Sequence, residues 1–197
     1  MNLHHRFEIS LPHWIDEFVG HWLNQNRSGL DTPEHRMELA IALAAANVEQ
    51  GTGGPFGAIV VQEETNRLAG VGVNLVTGIN LSSAHAEIVA LSLAQIATGS
   101  WNLGKLGPMQ LVTSCEPCAM CFGAVPWSGV TSVVCGARKE DAEAAGFDEG
   151  DKPVNWTESL HQRGIEVRLN VMRDEAARVL QEYSDDAGTI YNPGKNS

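Results

Sequence analysis

Basic residues are scarce: 13 Lys and Arg face 24 Asp and Glu in 197 residues, giving a net charge of −11. Such a balance repels phosphate backbones and anionic lipid surfaces, so nonspecific nucleic-acid binding starts at a disadvantage. Long apolar runs are missing as well. The longest stretch free of polar residues is 39–46, far short of the ~20 residues that span a bilayer. The opening MNLHHRFEIS has no apolar signal core, so a soluble, cytoplasmic protein without a membrane or nucleic-acid partner is expected. Neither the Pro and Gly bias of a disordered chain nor an internal repeat is found. Cysteine is absent outside one short stretch. Cys115, Cys118, Cys121 and Cys135, three of them in CEPCAMC, are too closely spaced to staple distant segments by disulfides, which makes metal binding the better expectation.

What remains, with 43% hydrophobic residues, is enough for one core. Trp14, Ile15, Phe18 and Trp22 fall at helical spacings and predict an N-terminal helix over 13–24. Thr32 followed by Pro33 offers an N-cap and a preset first turn to a helix carrying Met37, Ile41, Ala44 and Val48 on one face and ending at Gly51. GGPFGAIVVQ and residues 67–73 read as a β-hairpin. A helix over 83–97, a strand over 109–113, a helix from Pro117 to 125, a strand over 130–135, a strand over 165–171 and a helix through Ala176, Val179, Leu180 and Tyr183 follow. Alternating strands and helices of this kind predict an α/β fold whose sheet is at least partly parallel, with helices on its faces. The tail SDDAGTIYNPGKNS has little to bury beyond Ile190 and Tyr191, and is expected to be mobile unless it docks.

The chemistry is concentrated in His85-Ala86-Glu87 and in Pro117-Cys118-Ala119-Met120-Cys121. Catalytic zinc takes three protein ligands and keeps a fourth position open, and one imidazole with two thiolates suits this borderline-soft ion. Cys118 and Cys121, at i and i+3 after Pro117, are expected on one helix face in a first turn, where the helix dipole favours thiolates. His85 is expected in another first turn, both turns at the carboxyl ends of strands. Glu87 is harder to aim, because residues two apart on a helix body diverge. If it reaches the metal, its carboxylate can take a proton from a bound water and return it.

H-x-E together with P-C-x-x-C is the signature of zinc-dependent nucleobase deaminases, and the chain resembles the cytidine deaminase superfamily. GGPFGAIVV, AHAEIVAL, TSCEPCAMCFGA and AEAAGFDE together look like the bacterial guanine deaminases over residues 33–150. The resemblance implies a three-layer α-β-α fold around a mixed five-stranded sheet, with residues 33–183 as the deaminase domain. Residues 1–32 would be a helical extension, and 184–197 a tail able to close an active site. It also implies one zinc ion per subunit held by His85, Cys118 and Cys121, with Glu87 as proton shuttle. Zinc-bound hydroxide would attack C2 of guanine, and loss of ammonia would leave xanthine. Asn74 matches a base-binding asparagine, Phe56 and Trp127 match aromatic contacts, and Ala86 and Tyr191 are further substrate-binding positions. Glu149 matches a second acidic residue, with Glu143, Asp148 and Asp151 as nearby alternatives. A homodimer with exchanged C-terminal segments is implied too.

Plainer readings stand beside these. Phe56 and Trp127 suit a core, Asn74 a turn cap, and the acidic run a solvated face. Pro126 stands where a non-proline residue is expected. His4, His5, His13 and His21 have no acidic or cysteine partners and are read as incidental. Competing functions are deamination of cytosine or ammeline, a tRNA adenosine deaminase, which would need a basic groove, and a structural zinc module, which would need a fourth ligand such as Cys115.

Overall fold

The computed structural model describes residues 5–26 and 29–192. Thr32 caps the helix α2 (Pro33–Glu49), its hydroxyl accepting from the His35 amide at 3.1 Å. The preceding helix α1 (Trp14–Gln25) buries Trp14 and Ile15 in the same core as Leu39 and Leu43 of α2. Strands β1 (Gly57–Gln62) and β2 (Arg67–Val73) form the expected hairpin, with a register shift after Val60. A short helix, α3 (Val76–Ile79), leads into α4 (Ala86–Thr98), and a 3-10 turn (Leu103–Leu106) leads into β3 (Met109–Cys115). Then come α5 (Ala119–Ser128), β4 (Ser132–Ala137), α6 (Lys139–Ala144), α7 (Trp156–His161), β5 (Glu166–Arg168) and α8 (Arg173–Asp185).

The sheet order is β2-β1-β3-β4-β5, antiparallel across β2, β1 and β3 and parallel across β3, β4 and β5. This is the mixed five-stranded sheet of a three-layer α/β fold. Alternation along β1 shows why both faces are covered: Ile59 and Val61 pack under α2, and Ala58 and Val60 under α4. Helix α4 lies unusually close to β2, because Gly70 and Gly72 present no side chain to it. A Cβ on Gly72 would sit 2.0 Å from the Ala86 carbonyl oxygen, and one on Gly70 2.5 Å from that of Ala90. Ala86, Ala90 and Ala94 form the matching small stripe. That close packing sets where the N-terminus of α4 ends up. Among the described residues no helix is long and apolar enough to cross a membrane.

Some boundaries differ from the sequence expectation. α4 starts at Ala86 and α5 at Ala119, because His85 and Cys118 are extended N-cap residues and neither lies in a first turn. Pro126 is accommodated inside α5, near its end, and the helix runs on to Ser128. The last strand shortens to three residues, and α6 and α7, at six residues each, are too short for periodicity to reveal. The tail docks as far as Asn192, and residues 193–197 lie outside the described residues.

Candidate active site

At the end of β2 the chain delivers Asn74, and at the end of β3 it delivers Glu116 to Cys118, while the N-terminus of α4 brings His85 and Glu87 alongside. An N-cap side chain folds back over the helix end. His85, extended at φ −70° and ψ 153°, therefore reaches the same cavity as Glu87 one turn-start further on, which resolves the divergence expected of a helix body. The ring Nδ1 of His85 lies 3.5 Å from Cys118 Sγ, and the donor atoms of His85, Cys118 and Cys121 all lie within 4.8 Å of one another. A tetrahedral zinc, with Zn–S of about 2.3 Å and Zn–N of about 2.0–2.1 Å, spaces such a nitrogen and sulfur about 3.5 Å apart. The donor set fits zinc in chemistry and in spacing.

Cys115 does not join it. Its buried thiol points to the Arg138 carbonyl oxygen at 3.6 Å, and burial pushes its pKa well up. Among the described residues the cluster therefore has three ligands, the number of a catalytic zinc site and one fewer than a structural one.

Two carboxylates share the cavity. Glu87 is raised to about 7, chiefly by burial and then by the Cys118 sulfur. Glu149 is raised to about 8 by burial, by Cys118 and by Glu87. Cys118 moves the other way, to about 4, because Cys121 and His85 both hydrogen-bond to its thiolate. Cys121, which lends that proton and is itself buried, is pushed up. Burial pulls the His85 pKa down, but Cys118 and Glu87 together raise it. Phe56, Phe147 and Tyr191 wall the cavity. Phe56 and Phe147 meet edge to face with ring centroids 4.8 Å apart, and Phe147 meets Tyr191 at 5.7 Å.

The loop carrying Glu149 is tied to the metal-ligand loop at several points. The Ala119 amide donates to the Glu149 carbonyl at 2.9 Å. Lys152 donates to the Pro117 carbonyl at 2.9 Å and to the buried Glu116 carboxylate at 3.1 Å, its Nζ lying 4.4 Å from the centre of the Trp156 ring. Arg138 pairs with the other Glu116 oxygen at 3.1 Å. These contacts, made before helix geometry begins, hold Cys118 in its extended cap conformation.

The cytidine and deoxycytidylate deaminase zinc-binding region matches residues 31–137. The chain belongs to this deaminase family. Structural similarity extends the likeness beyond that region. A guanine deaminase from Nitrosomonas europaea is 43% identical with a TM-score of 0.83, covering 94% of this chain and all of that one. The structure of a point mutant of NE0047 in complex with 8-azaguanine is 44% identical with a TM-score of 0.82, covering 92% of this chain and 98% of that chain. The guanine deaminase of Bacillus subtilis is 39% identical over 124 residues, 60% of this chain and 76% of its own length.

Against that family's pattern, the structure brings Phe56, Asn74, His85, Glu87, Cys118, Glu149 and Tyr191 to one cavity, with Cys121 completing the donor cluster. Asn74 holds both of its expected places. Its Oδ1 accepts the Val76 amide at 3.3 Å, a turn cap, while its Nδ2 donates to the Tyr191 hydroxyl at 2.6 Å inside the cavity. Of the four acidic candidates, Glu149 is buried and Asp148 lines the rim, whereas Glu143 is exposed beside Lys139 and Asp151 is exposed. Two of the expected residues have side chains placed outside this cavity. Trp127 is 82% exposed on the outer face of α5, away from this cavity, because its helix buries Cys121 and Val125 instead. The Ala86 side chain is buried in the core cluster beneath α4, and its carbonyl oxygen faces Gly72 of β2. His5, His13 and His21 are exposed and outside the metal cluster, and His4 lies outside the described residues.

Phe147, Glu116 and Asn192 also line the cavity, and sequence reasoning assigned them no role. The aromatic in AGFDE was a visible signal for Phe147. Asn192 left none: it clamps the tail by donating to the Gly146 carbonyl at 2.7 Å and accepting the Asp148 amide at 3.1 Å.

Proposed function

We propose that the protein is a zinc-dependent guanine aminohydrolase, converting guanine and water to xanthine and ammonia. The observation that carries this is the meeting of a three-ligand His-Cys-Cys cluster with two buried carboxylates in an aromatic-walled cavity. The similarity to guanine deaminases, one of them from Bacillus subtilis, supports the choice of base. His85, Cys118 and Cys121 would hold the ion, which when bound supplies a water of lowered pKa as the nucleophile.

The protein's own groups do the rest. The Glu87 carboxylate takes the proton of the attacking water and returns it to the base, a task suited to a pKa near 7. Glu149 stands across the cavity to hold, and then protonate, the amino group leaving C2. Phe56 and Phe147, in contact with each other, together offer an apolar wall to a flat ring. Asn74 offers a donor, because its oxygen is already committed to Val76. Ala86 contributes through its backbone amide at the first turn of α4, where helix N–H groups lack intrahelical partners. The cavity as closed by Tyr191 holds only about 20 Å³, room for a water and too little for a purine. Side chains that line it, Tyr191 among them, would shift to admit substrate.

The partner reading is a homodimer. Trp127, Ile96, Trp101 and Met120 expose apolar surface on and beside α4 and α5, and a second copy would cover it. Tail contacts are made here within one chain, and exchange between copies would preserve them while changing which subunit supplies Tyr191. The compartment proposed is the cytoplasm, supported by four free cysteines, and the role proposed is purine catabolism.

Ammonia release from zinc-loaded protein, measured against guanine, ammeline, cytosine, cytidine and a tRNA anticodon stem-loop, tests the reading. Guanine turnover is expected, and Glu87→Gln should keep zinc while losing about 10²–10⁴-fold in rate. A fully active Glu87→Gln would overturn the proton-shuttle role. Turnover of another member with silence on guanine would overturn the choice of base.

A further inference from the structure

Asn74 is held by the chain at each polar atom: the Nδ2 it turns to the cavity donates to the Tyr191 hydroxyl at 2.6 Å, leaving one hydrogen of that group to the cavity. Its amide N–H donates to the Phe56 carbonyl at 3.0 Å, and its side-chain oxygen accepts from Val76. Its own carbonyl accepts from Asn47 Nδ2 at 2.8 Å, and the second hydrogen of that Nδ2 goes to the Gly54 carbonyl at 2.9 Å. Asn47 is wholly buried in α2. Its Oδ1 accepts from the Thr52 hydroxyl at 2.6 Å, and that hydroxyl accepts from Trp14 Nε1 at 3.2 Å. The loop between Thr52 and Asn74 leaves no slack, since a Cβ on Gly53 would lie 1.8 Å from the Asn74 carbonyl oxygen.

We propose that Asn47 is a positioning residue for Asn74, and that Trp14 of the N-terminal helix completes its setting through Thr52. The chemistry favours a directional relay over generic packing. Asn47 can hold both backbone carbonyls only with its amide in one orientation, and the Thr52 hydroxyl supports that orientation because its single hydrogen finds Asn47 Oδ1 at 2.6 Å, closer than the Asn47 carbonyl at 3.3 Å. Thr52 in turn is oriented by an indole N–H, which only donates. Trp14 lies outside residues 31–137, the region that matches the deaminase family. The helix that precedes the matched family region thus gains a function: it helps to fix the residue that donates to the base edge.

The proposal rests on reading Asn74 as a base contact, and the test separates the two. Full-length, zinc-loaded wild type, Thr52→Val, Thr52→Ser, Trp14→Phe, Asn74→Ala and the Thr52→Val/Asn74→Ala double variant are compared. The readouts are zinc content, the calorimetric Kd for 8-azaguanine, and KM and kcat for guanine. Thr52→Val and Trp14→Phe should each raise Kd and KM about fivefold to tenfold, the scale of one net hydrogen bond, with kcat and zinc content nearly unchanged. Thr52→Ser should bind as wild type does. In the double variant the Thr52 change should add nothing to the loss caused by Asn74→Ala, because groups acting through one contact are not additive. Wild-type binding by Thr52→Val and Trp14→Phe, beside weak binding by Asn74→Ala, would overturn the relay and leave the base contact standing. Fully additive losses would overturn it as well, marking a structural role only. Unchanged binding by Asn74→Ala would overturn both.

Discussion

The two ends of the central sheet bury charge in opposite ways. At the end where β3 and β4 begin, Arg36 is the hub of a closed network. Its guanidinium donates to the Leu30 carbonyl at 2.8 Å, to Gln110 at 2.8 Å and to Asn66 at 2.7 Å, with Glu63 at 4.0 Å. Gln110 and Glu63 are joined again through Ser132. At the other end Glu87, Glu149 and the Cys118 thiolate crowd together, and each carboxyl is driven up by burial and by its like-charged neighbours. One arrangement satisfies every charge with a fixed partner, whereas the other keeps acids near neutrality in a cavity. Perturbed groups converging on a cleft are the mark of a working site, and a saturated network is that of a scaffold.

Breaking each end should give effects of different kinds. The largest change is expected from Cys118→Ala, which removes a ligand and should abolish zinc retention and turnover together, as metal analysis beside the ammonia assay will show. Arg36→Met should do the reverse. By removing the donor to Gln110 Oε1, Asn66 Oδ1 and the Leu30 carbonyl it should cost about 3 kcal/mol in chemical unfolding, while zinc content stays at the wild-type level. Equal loss of zinc in both variants would show that the two ends are not independent.

The smallest effect is expected at α6, which follows β4 at the site end of the sheet. Asp141 Oδ2 accepts the Arg138 amide at 2.7 Å, capping α6, and its carboxylate takes two donors from Arg173 at 2.8 and 2.9 Å. Those hydrogen bonds hold its pKa below the ordinary carboxylate value. A depressed folded-state pKa stabilises the fold above the unfolded pKa, and that contribution disappears as pH falls through the folded value. Asp141→Asn should therefore cost about 0.5–1 kcal/mol near neutrality, and its unfolding midpoint should converge with that of wild type in acid. A gap that persists unchanged to low pH would show that the charge is not what matters there.

Legibility followed locality. The cap of α2 and the β1–β2 hairpin were written in neighbouring residues, and both formed. The metal ligands were legible from spacing and chemistry, yet their backbone setting was not. His85 and Cys118 look from the sequence like first-turn residues, and they become N-caps because α4 is seated on Gly70 and Gly72, and because Lys152 and Glu149 hold the loop before α5. Trp127 shows the same limit from the other side. The family resemblance makes it an aromatic contact to the base, but α5 turns that position outward.

The sequence by itself determined the composition of the site and the order of its elements: three soft and borderline donors, a nearby carboxylate, and strands and helices in alternation. These follow from residue type and short-range periodicity, which act within a few residues. Tertiary structure alone decided that Tyr191 meets Asn74 across 117 positions of chain, that Glu149 is the acid facing Glu87, and that Trp14 reaches the same site through Thr52 and Asn47. Such contacts depend on which surfaces remain after the sheet and its helices have packed. No local pattern encodes that remainder, because it is set by the summed burial of residues far apart in the chain.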